Sequence, residues 1–487
     1  MTSGSIEAIL PKLMPMKRTI YFDDARHYFL WNFEPPIDLR DFHSVIDQVA
    51  GTAVDTFIYG VARMDGLFYD TSASLRFGAD RESFRGHYEW RAYNSLQSLI
   101  DRGLSPLQLL IDRAHQKGME FIPSLRLGEY GTMPESMNAR HGGRGWVHDE
   151  VRAHLMGIVK ELVADFPTDG IELDFAAPPA GCAPLLQPED VSEYTPVLTE
   201  WLREASSLAR DNNGTVGARV YPTSELNDAA GFDIETWLNE GLVDYVAPLV
   251  YAHNILDCDT PIEWLIESAH KAGVAVYPIL MAYYNNEDRH YHTREMATPE
   301  MMRAAFANHW AKGCDGMYTW FMRWPLGERE RSTLSEMGDR DLIAHKTKHY
   351  FVNRDTPNAQ RVGFDRPLPL ELPLSSPESV SEVPFYVADD CASDHVSNVV
   401  LQIRLHSMVS ADKLVIKMNG QSLAEETSLR SRPHPMFPYD TLLEFHLRDV
   451  LPRIGANTLQ LSLEARPPKL GSTAMVEDVD LIVNYQA

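Results

Sequence analysis

From residue 18 to about residue 325 the chain repeats one hydrophobic rhythm. A short β-branched or aromatic run gives way to a loop, and the loop to a stretch with apolar positions at helical spacing, often closed by glycine. The apolar runs are RTIYF (18–22), VDTFIYGVA (54–62), MEFIPSLRL (119–127), GIELDFA (170–176), TVGARVY (215–221), DYVAPLVYA (244–252), VAVYPILMAYY (274–284) and GMYTWFM (316–322). The helical stretches between them carry their own start and stop signals. SPLQLLIDRAHQKG opens on a Ser cap and ends at Gly118, and DEVRAHLMGIVKELVADF, SEYTPVLTEWLREASSLAR, PIEWLIESAHKAG and TPEMMRAAFANHWAKG follow the same design. Strand and helix alternating eight times predict parallel strands with right-handed crossovers, an α/β (β/α)₈ TIM barrel over residues 1–350. A doubly wound sheet would want a Gly-rich phosphate loop after its first strand, and the sequence has none there. The loops after the second run (63–104) and third run (128–147) are long, and at the C-terminal face of a barrel such loops are functional.

The rhythm stops near residue 350. Residues 351–384, with the Pro- and Ser-rich DRPLPLELPLSSPESVSEVP at 365–384, read as a linker or an extended strand along the barrel flank. Beyond it the period falls to two, in NVVLQIRLHSM, DKLVIKMNGQSL, TLLEFHLRDVL, NTLQLSLEA and VEDVDLIVNY, with MNGQ as a turn. An antiparallel β-sandwich is expected over 385–487.

Composition narrows the function. With 44% hydrophobic and 23% charged residues the chain is a globular protein rather than a disordered one. A net charge of −25 argues against nucleic acid or an anionic membrane as partner, and no window is long and apolar enough to span a bilayer. Cys182, Cys258, Cys314 and Cys391 are too far apart for a zinc knuckle or redox pair. The N-terminus lacks a long apolar h-region, so a cytoplasmic protein is expected, although a secreted chain with its signal removed would look the same.

The chemistry centres on GIELDFA. Alternation sends Ile171, Leu173 and Phe175 toward the helices and turns Glu172 and Asp174 into the barrel. Asp174 is nearer the C-terminal end and reaches the mouth first, with Glu172 one layer below. Two close carboxylates in unlike surroundings have pKa values pushed apart, as acid–base chemistry requires. The structural alternative is that Glu172 only accepts hydrogen bonds from Arg126 or Arg219 and braces the barrel.

DGIELDF resembles the DG-(acid or His)-x-D motif of glycoside-hydrolase-like TIM barrels, the group labelled family-10-like glycosyl hydrolases. GMEFIPSLRL and the trailing β-sandwich resemble that group too. The same stretch is similar to the family-18 chitinase motif, with Asp169, Glu172 and Asp174 at its aspartate positions. Ala176 stands where that family has its catalytic glutamate, so a strand-4 proton donor is not available. The resemblance implies hydrolysis of a glycosidic bond in an oligo- or polysaccharide by two carboxylates, with a non-catalytic carbohydrate-binding barrel as the alternative. Asp174 is the expected nucleophile or base. Its partner would be Glu172 first and Glu225 second, with Glu129, Asp257, Glu287 and Asp288 as other strand-end acids.

The remaining strand ends are rich in groups that grip sugars: His27 with Arg26 and Trp31, Tyr251, His253 and Asn254, Tyr283, Tyr284, Asn285 and Asn286, and Trp320, Arg323 and Trp324. Aromatic faces stack on sugar rings, and Asn, His and Arg bond hydroxyls. Arg126 and Arg219 could also hold a carboxylate or sulfate, so an acidic sugar is open. His290 with His292 and His345 with His349 are metal-type pairs, but neither has a third ligand nearby, and no metal or other cofactor is expected. The sandwich is expected to pack on the barrel, and a homo-oligomer stays open.

Overall fold

The computed structural model describes residues 17–63, 66–127, 137, 144–177, 184–251, 255–284, 295–374, 380–432 and 440–486. Nine short parallel strands form one curled sheet: β1 (Thr19–Asp24), β2 (Thr56–Gly60), β3 (Glu120–Arg126), β4 (Gly170–Asp174), β5 (Thr215–Val220), β6 (Tyr245–Pro248), β7 (Ala275–Val276), β8 (Ile279–Met281) and β9 (Met317–Trp320). Their hydrogen-bonded order is β8-β9-β1-β2-β3-β4-β5-β6-β7. Seven of the eight expected runs each contribute one strand to this sheet. The seventh is split at Tyr277-Pro278 into β7 and β8, because a proline has no N–H to give to a ladder. The ladder is therefore not a continuous closed ring. One backbone bond, from the Asp315 N–H to the Val276 carbonyl at 3.1 Å, reaches β7 from the segment entering β9.

The crossover helices form where the caps and spacing place them. Pro106–Gln116 begins on Ser105, whose hydroxyl accepts from the Gln108 N–H, and Pro299–Lys312 begins on Thr298 and ends on Gly313 at φ +101°. Asp149–Ala164, Val191–Asp211 and Glu263–Ala272 complete the expected set. The stretch 63–104, expected as a loop, contains a further helix, His87–Ile100. Its Ala92, Leu96 and Leu99 fall on one helical face and are buried, which overrides the Gly and aromatic residues around it.

Two antiparallel sheets follow. One orders Lys348–Phe351, Ala474–Tyr485, Val396–His406, Asp440–Leu447 and Thr427–Ser431, with Leu370–Leu372 also paired to Ala474–Tyr485. The other orders Ser381–Val387, Gly455–Ala465, Lys413–Met418 and Gln421–Ser422. Burial alternates as the period of two requires: Val383, Phe385 and Val387 are buried while Glu382 and Pro384 are exposed. Asn419 (φ 51°) and Gly420 (φ 82°) make the two-residue turn expected at MNGQ. The segment read as a linker supplies strands of its own, and Lys348–Phe351 already belongs to the six-stranded sheet.

That pairing also gives the two histidines read as a metal-type pair different partners. His349 lies in a strand with Nε2 2.8 Å from Asp480, while His345 packs on His395 at 4.4 Å between ring centroids. The β-sheets dock on the parallel sheet's helices through polar side chains. Asn308 donates to the carbonyls of Cys258 and Tyr386, and Arg366 meets Asp257 at 2.9 Å. Among the described residues, no helix is long and apolar enough to cross a membrane.

Glu161 ties the long segment after β2 to the helix Asp149–Ala164. Its carboxylate accepts from the hydroxyls of Tyr69, Thr71 and Ser72 and from the N–H groups of Ser72 and Ala73, at 2.5–3.1 Å. Burial alone would raise this carboxyl, but the donors outweigh it and hold it below the usual range. A lowered carboxyl stabilises the fold above its unfolded pKa, about 4.3 for Glu, and that stability is lost as pH falls through the folded value. Glu161→Gln should therefore cost about 1–2 kcal/mol at pH 7 in urea unfolding, with the gap from wild type closing below about pH 4.

Candidate active site at the end of the parallel sheet

The register of β3, β4 and β5 sets the site. Ser124 lies opposite Glu172, and Asp174 lies opposite both Arg126 and Arg219. Glu172 and Asp174 face the sheet's interior with Ile20, Phe22, Ile58, Ile122, Tyr245 and Tyr318, while Ile171, Leu173 and Phe175 join the packing against the helices. Two glycines make this arrangement possible. Gly170 opens β4 at φ +156°, where a Cβ would sit 2.2 Å from the Thr215 carbonyl oxygen. On β5 a Cβ at Gly217 would sit 2.0 Å from the Tyr245 ring, so only glycine lets that ring cross the interior.

Glu172 is sealed in the lower layer, 0% exposed. Arg219 Nε lies 2.6 Å from its Oε1, the hydroxyls of Ser124 (2.8 Å) and Tyr318 (3.1 Å) donate to the same oxygen, and the Tyr245 hydroxyl donates to Oε2 at 3.3 Å. Burial raises the Glu172 carboxyl above the usual range, and Arg219 and Ser124 offset part of that rise. These contacts are those of a brace.

Asp174 occupies the upper layer. Its Oδ2 takes the Tyr251 hydroxyl at 2.8 Å and lies 3.4 Å from Arg219 and 3.6 Å from Arg126. Both arginines in turn donate to the Tyr251 oxygen, at 2.9 and 3.0 Å. Arg219 is fully enclosed, with its guanidinium 4.1 Å from the Phe22 ring centroid and 5.0 Å from that of Trp320. Asp174 Oδ1 and the Trp320 indole N–H are buried, and neither has a hydrogen-bond partner among the described residues. They are an acceptor and a donor at the C-terminal ends of β4 and β9.

Asp24, at the end of β1, is the acid that motif reading missed. It lies 3.8 Å from Arg126 and 3.6 Å from Arg63, so one guanidinium, Arg126, is shared by carboxylates from β1 and β4. Burial would raise the Asp24 carboxyl, but His27, Arg63, Arg126 and Arg26 outweigh it and hold it below the usual range. The signal was present in the sequence, because Asp24 shares parity with the inward Ile20 and Phe22.

Beside these carboxylates, at the ends of β1 and β9, opens a pocket of about 710 Å³ whose lining includes His27, Trp31, Tyr283, Phe321, Arg323 and Trp324. His27 stacks on Trp31 (4.6 Å, 16°) and packs on Phe321 (4.6 Å). Burial, reinforced by Arg63, Arg26 and Arg126, brings its imidazole down to about 3 despite Asp24.

Of the residues singled out from sequence, Asp174, Glu172, Arg126, Arg219, Tyr251 and Trp320 come together in one network, and His27 and Arg323 line the adjoining pocket. Two do not join them. Glu225 is exposed in the first turn of the helix Ser224–Ala230, which Thr223 caps directly after β5. There its charge suits the positive helix end rather than the interior. Tyr284 has the outward parity: its ring meets Phe351 at 5.4 Å on the side of the antiparallel sheets, and Tyr283 lines the pocket instead. His253, Asn254 and Asn285 lie outside the described residues, as do Cys182, Glu129, Asn286, Glu287, Asp288, His290 and His292. Among the described residues no group of three or more metal-type side chains gathers.

No protein-family model and no curated protein matches the sequence. Solved structures do resemble the fold. The PgaB (BpsB) glycoside hydrolase domain from Bordetella bronchiseptica is 14% identical over 66% of this chain and 99% of its own, with a TM-score of 0.42. An alpha-L-fucosidase from Vibrio sp. strain EJY3 is 9% identical over 96% of each chain, with a TM-score of 0.41. Catalytic domain 2 of the Group II chitinase of Ostrinia furnacalis is 9% identical over 66% of this chain and 96% of its own, with a TM-score of 0.40. These similar structures are glycoside hydrolases with a curled parallel sheet. At such identities and scores, no residue's role is carried over from them.

The network makes a direct claim about Arg219. Replacing it with Met leaves Glu172 and Asp174 without their shared buried cation and should cost about 3–5 kcal/mol in urea unfolding. Adding Glu172→Gln to Arg219→Met should restore part of that loss, because the uncompensated charge is then gone.

Proposed function

We propose that the chain is a glycoside hydrolase built on a (β/α)₈ barrel, with β7 and β8 together serving as the seventh strand. Its substrate is an oligo- or polysaccharide bound at the C-terminal ends of the strands. The observation that carries this reading is that Asp174 Oδ1 and the Trp320 N–H, a buried acceptor at the end of β4 and a buried donor at the end of β9, have no hydrogen-bond partner among the described residues. Each unsatisfied group costs about 1–3 kcal/mol, and a sugar hydroxyl both donates and accepts. The aromatic pocket beside them supplies ring faces for stacking.

Asp174 takes the role of nucleophile or base, since its Oδ1 has no hydrogen-bond partner among the described residues and its Oδ2 lies 3.4 and 3.6 Å from two guanidiniums. Glu172, enclosed by Arg219 and three hydroxyls, holds Arg219 in place and is not assigned the proton donation. Asp24, the second carboxylate on Arg126, helps fix that guanidinium between β1 and β4. The antiparallel sheets serve as a buttress through Asn308, Asn353 and Arg366.

One observation favours a second reading, a carbohydrate-binding barrel without catalysis: Asp24, Glu172 and Asp174 all contact arginine, and a buried Ala176 stands at the chitinase glutamate position. Asp174→Asn separates the two. In a hydrolase it should lower kcat for reducing-sugar release by about 10³-fold while sugar binding, followed by tryptophan fluorescence, stays within a few-fold. A wild-type chain that binds oligosaccharides and releases no reducing ends from any of them would establish the second reading.

A further inference from the structure

A groove of about 740 Å³ lies on the outer wall of the parallel sheet, between the helices Asp149–Ala164 and Val191–Asp211. Both helices are crossovers between consecutive parallel strands, β3 to β4 and β4 to β5, so they run in the same direction. The floor of the groove is apolar. Met156 and Trp201 lie there nearly buried, and the Trp201 indole ties the two helices together by donating to the Arg152 carbonyl at 3.0 Å. The sides are small or apolar. Ala153 and Gly157 are exposed on the first helix, and a Cβ added at Gly157 would meet nothing within 4 Å. Pro196 and Val197 line the side belonging to the second helix.

The two rims carry opposite charge. Arg152 and Lys160 stand about two turns apart on the first helix, and Glu200 and Glu204 about one turn apart on the second. The Trp201–Arg152 bond puts Glu200 near the level of Arg152, and Glu204 one turn further along, toward the level of Lys160. Arg152 meets Asp149 and Glu200 meets Arg203 within their own helices, while Lys160 and Glu204 are exposed at the far ends of the rims. An apolar strip between charged margins is the anatomy of a protein–protein interface. The partner that fits must bring negative charge to the first helix and positive charge to the second, at matching spacing. A second copy of this chain does so. Rotation about a two-fold axis parallel to the helices lays the first helix of each copy on the second helix of the other and leaves the heights unchanged. The antiparallel sheets stand clear, because they dock through the helix Pro299–Lys312 that leads into β9, and β9 lies four places from β4 in the hydrogen-bonded order.

We propose that this groove is the interface of a homodimer, in which Lys160 of each copy pairs with Glu204 of the partner subunit across the apolar strip. The interface lies on the helical wall and leaves the strand ends of both copies open, so it is independent of the glycosidase reading. Sedimentation equilibrium and light scattering on the full chain test it. Wild type should be a dimer at micromolar concentration. Lys160→Glu and Glu204→Lys should each weaken association by about tenfold or more, because the two-fold axis sets like charges together twice. The double variant, Lys160→Glu with Glu204→Lys, should return to within a few-fold of the wild-type constant, a rescue that damage to the fold would not give. Gly157→Gln should block association by filling the groove while the thermal melt of the monomer holds or rises, since Gln is the better helix former. A wild type that stays monomeric, leaving the groove to a different partner, overturns the proposal. So does a dimer indifferent to these single substitutions, or one that the double substitution fails to restore.

Discussion

A guanidinium closed off from water at the middle of the parallel sheet needs negative charge within reach, and the charge near it needs the guanidinium. Arg219 meets Glu172 at 2.6 Å below and Asp174 at 3.4 Å above, while its face lies on Phe22 and Trp320. None of the three ions would be tolerable there alone, because desolvation of a lone buried charge exceeds what a protein of ordinary stability can sustain. The neighbouring tyrosines are placed by the same need. Tyr251, Tyr318 and Tyr245 supply hydroxyls where two carboxylates and two arginines still have valences to fill. Gly217 then follows, since the Tyr245 ring occupies the space a side chain there would take.

This network divides the two acids of β4 by function. The lower one spends its oxygens on structure, and the upper one keeps one oxygen without a hydrogen-bond partner among the described residues. Arg126 extends the upper layer sideways to Asp24, so the mouth carries a carboxylate from β1 as well as from β4. The aromatic pocket adjoins that edge, because His27 lies three residues beyond Asp24 in the short helix that Asp24 caps. Charge, hydrogen-bonding capacity and stacking surface therefore converge on one end of the sheet, which is the end where parallel α/β proteins place their ligands.

Much of this was legible in the sequence. The alternation of GIELDFA gave the facing of Glu172 and Asp174, and the apolar runs gave the strands, because a period of two is a local property that survives folding. The same parity marks Asp24 as inward and Tyr284 as outward, yet motif-led reading passed over the first and chose the second. The split of the seventh run followed from Pro278, a local signal overlooked inside a strongly apolar stretch. Glu225 stands apart from the network for a different reason. Within four residues of the end of β5 the chain enters a helix capped by Thr223, and Glu225 is exposed in its first turn.

The sequence by itself determined the strand and helix alternation, the change of period near residue 350 and the inward placement of two acids, since each depends on spacing along the chain. Only the tertiary structure decided which cation each acid meets, that Glu172 is sealed while Asp174 retains an oxygen with no hydrogen-bond partner among the described residues, and that Arg323 and Arg329 share a pocket with Trp31 and His27. The physical reason is range. Side-chain periodicity is fixed within a few residues, whereas solvation and Coulomb energies depend on neighbours brought from strands more than a hundred residues apart, as Arg126 and Tyr251 are.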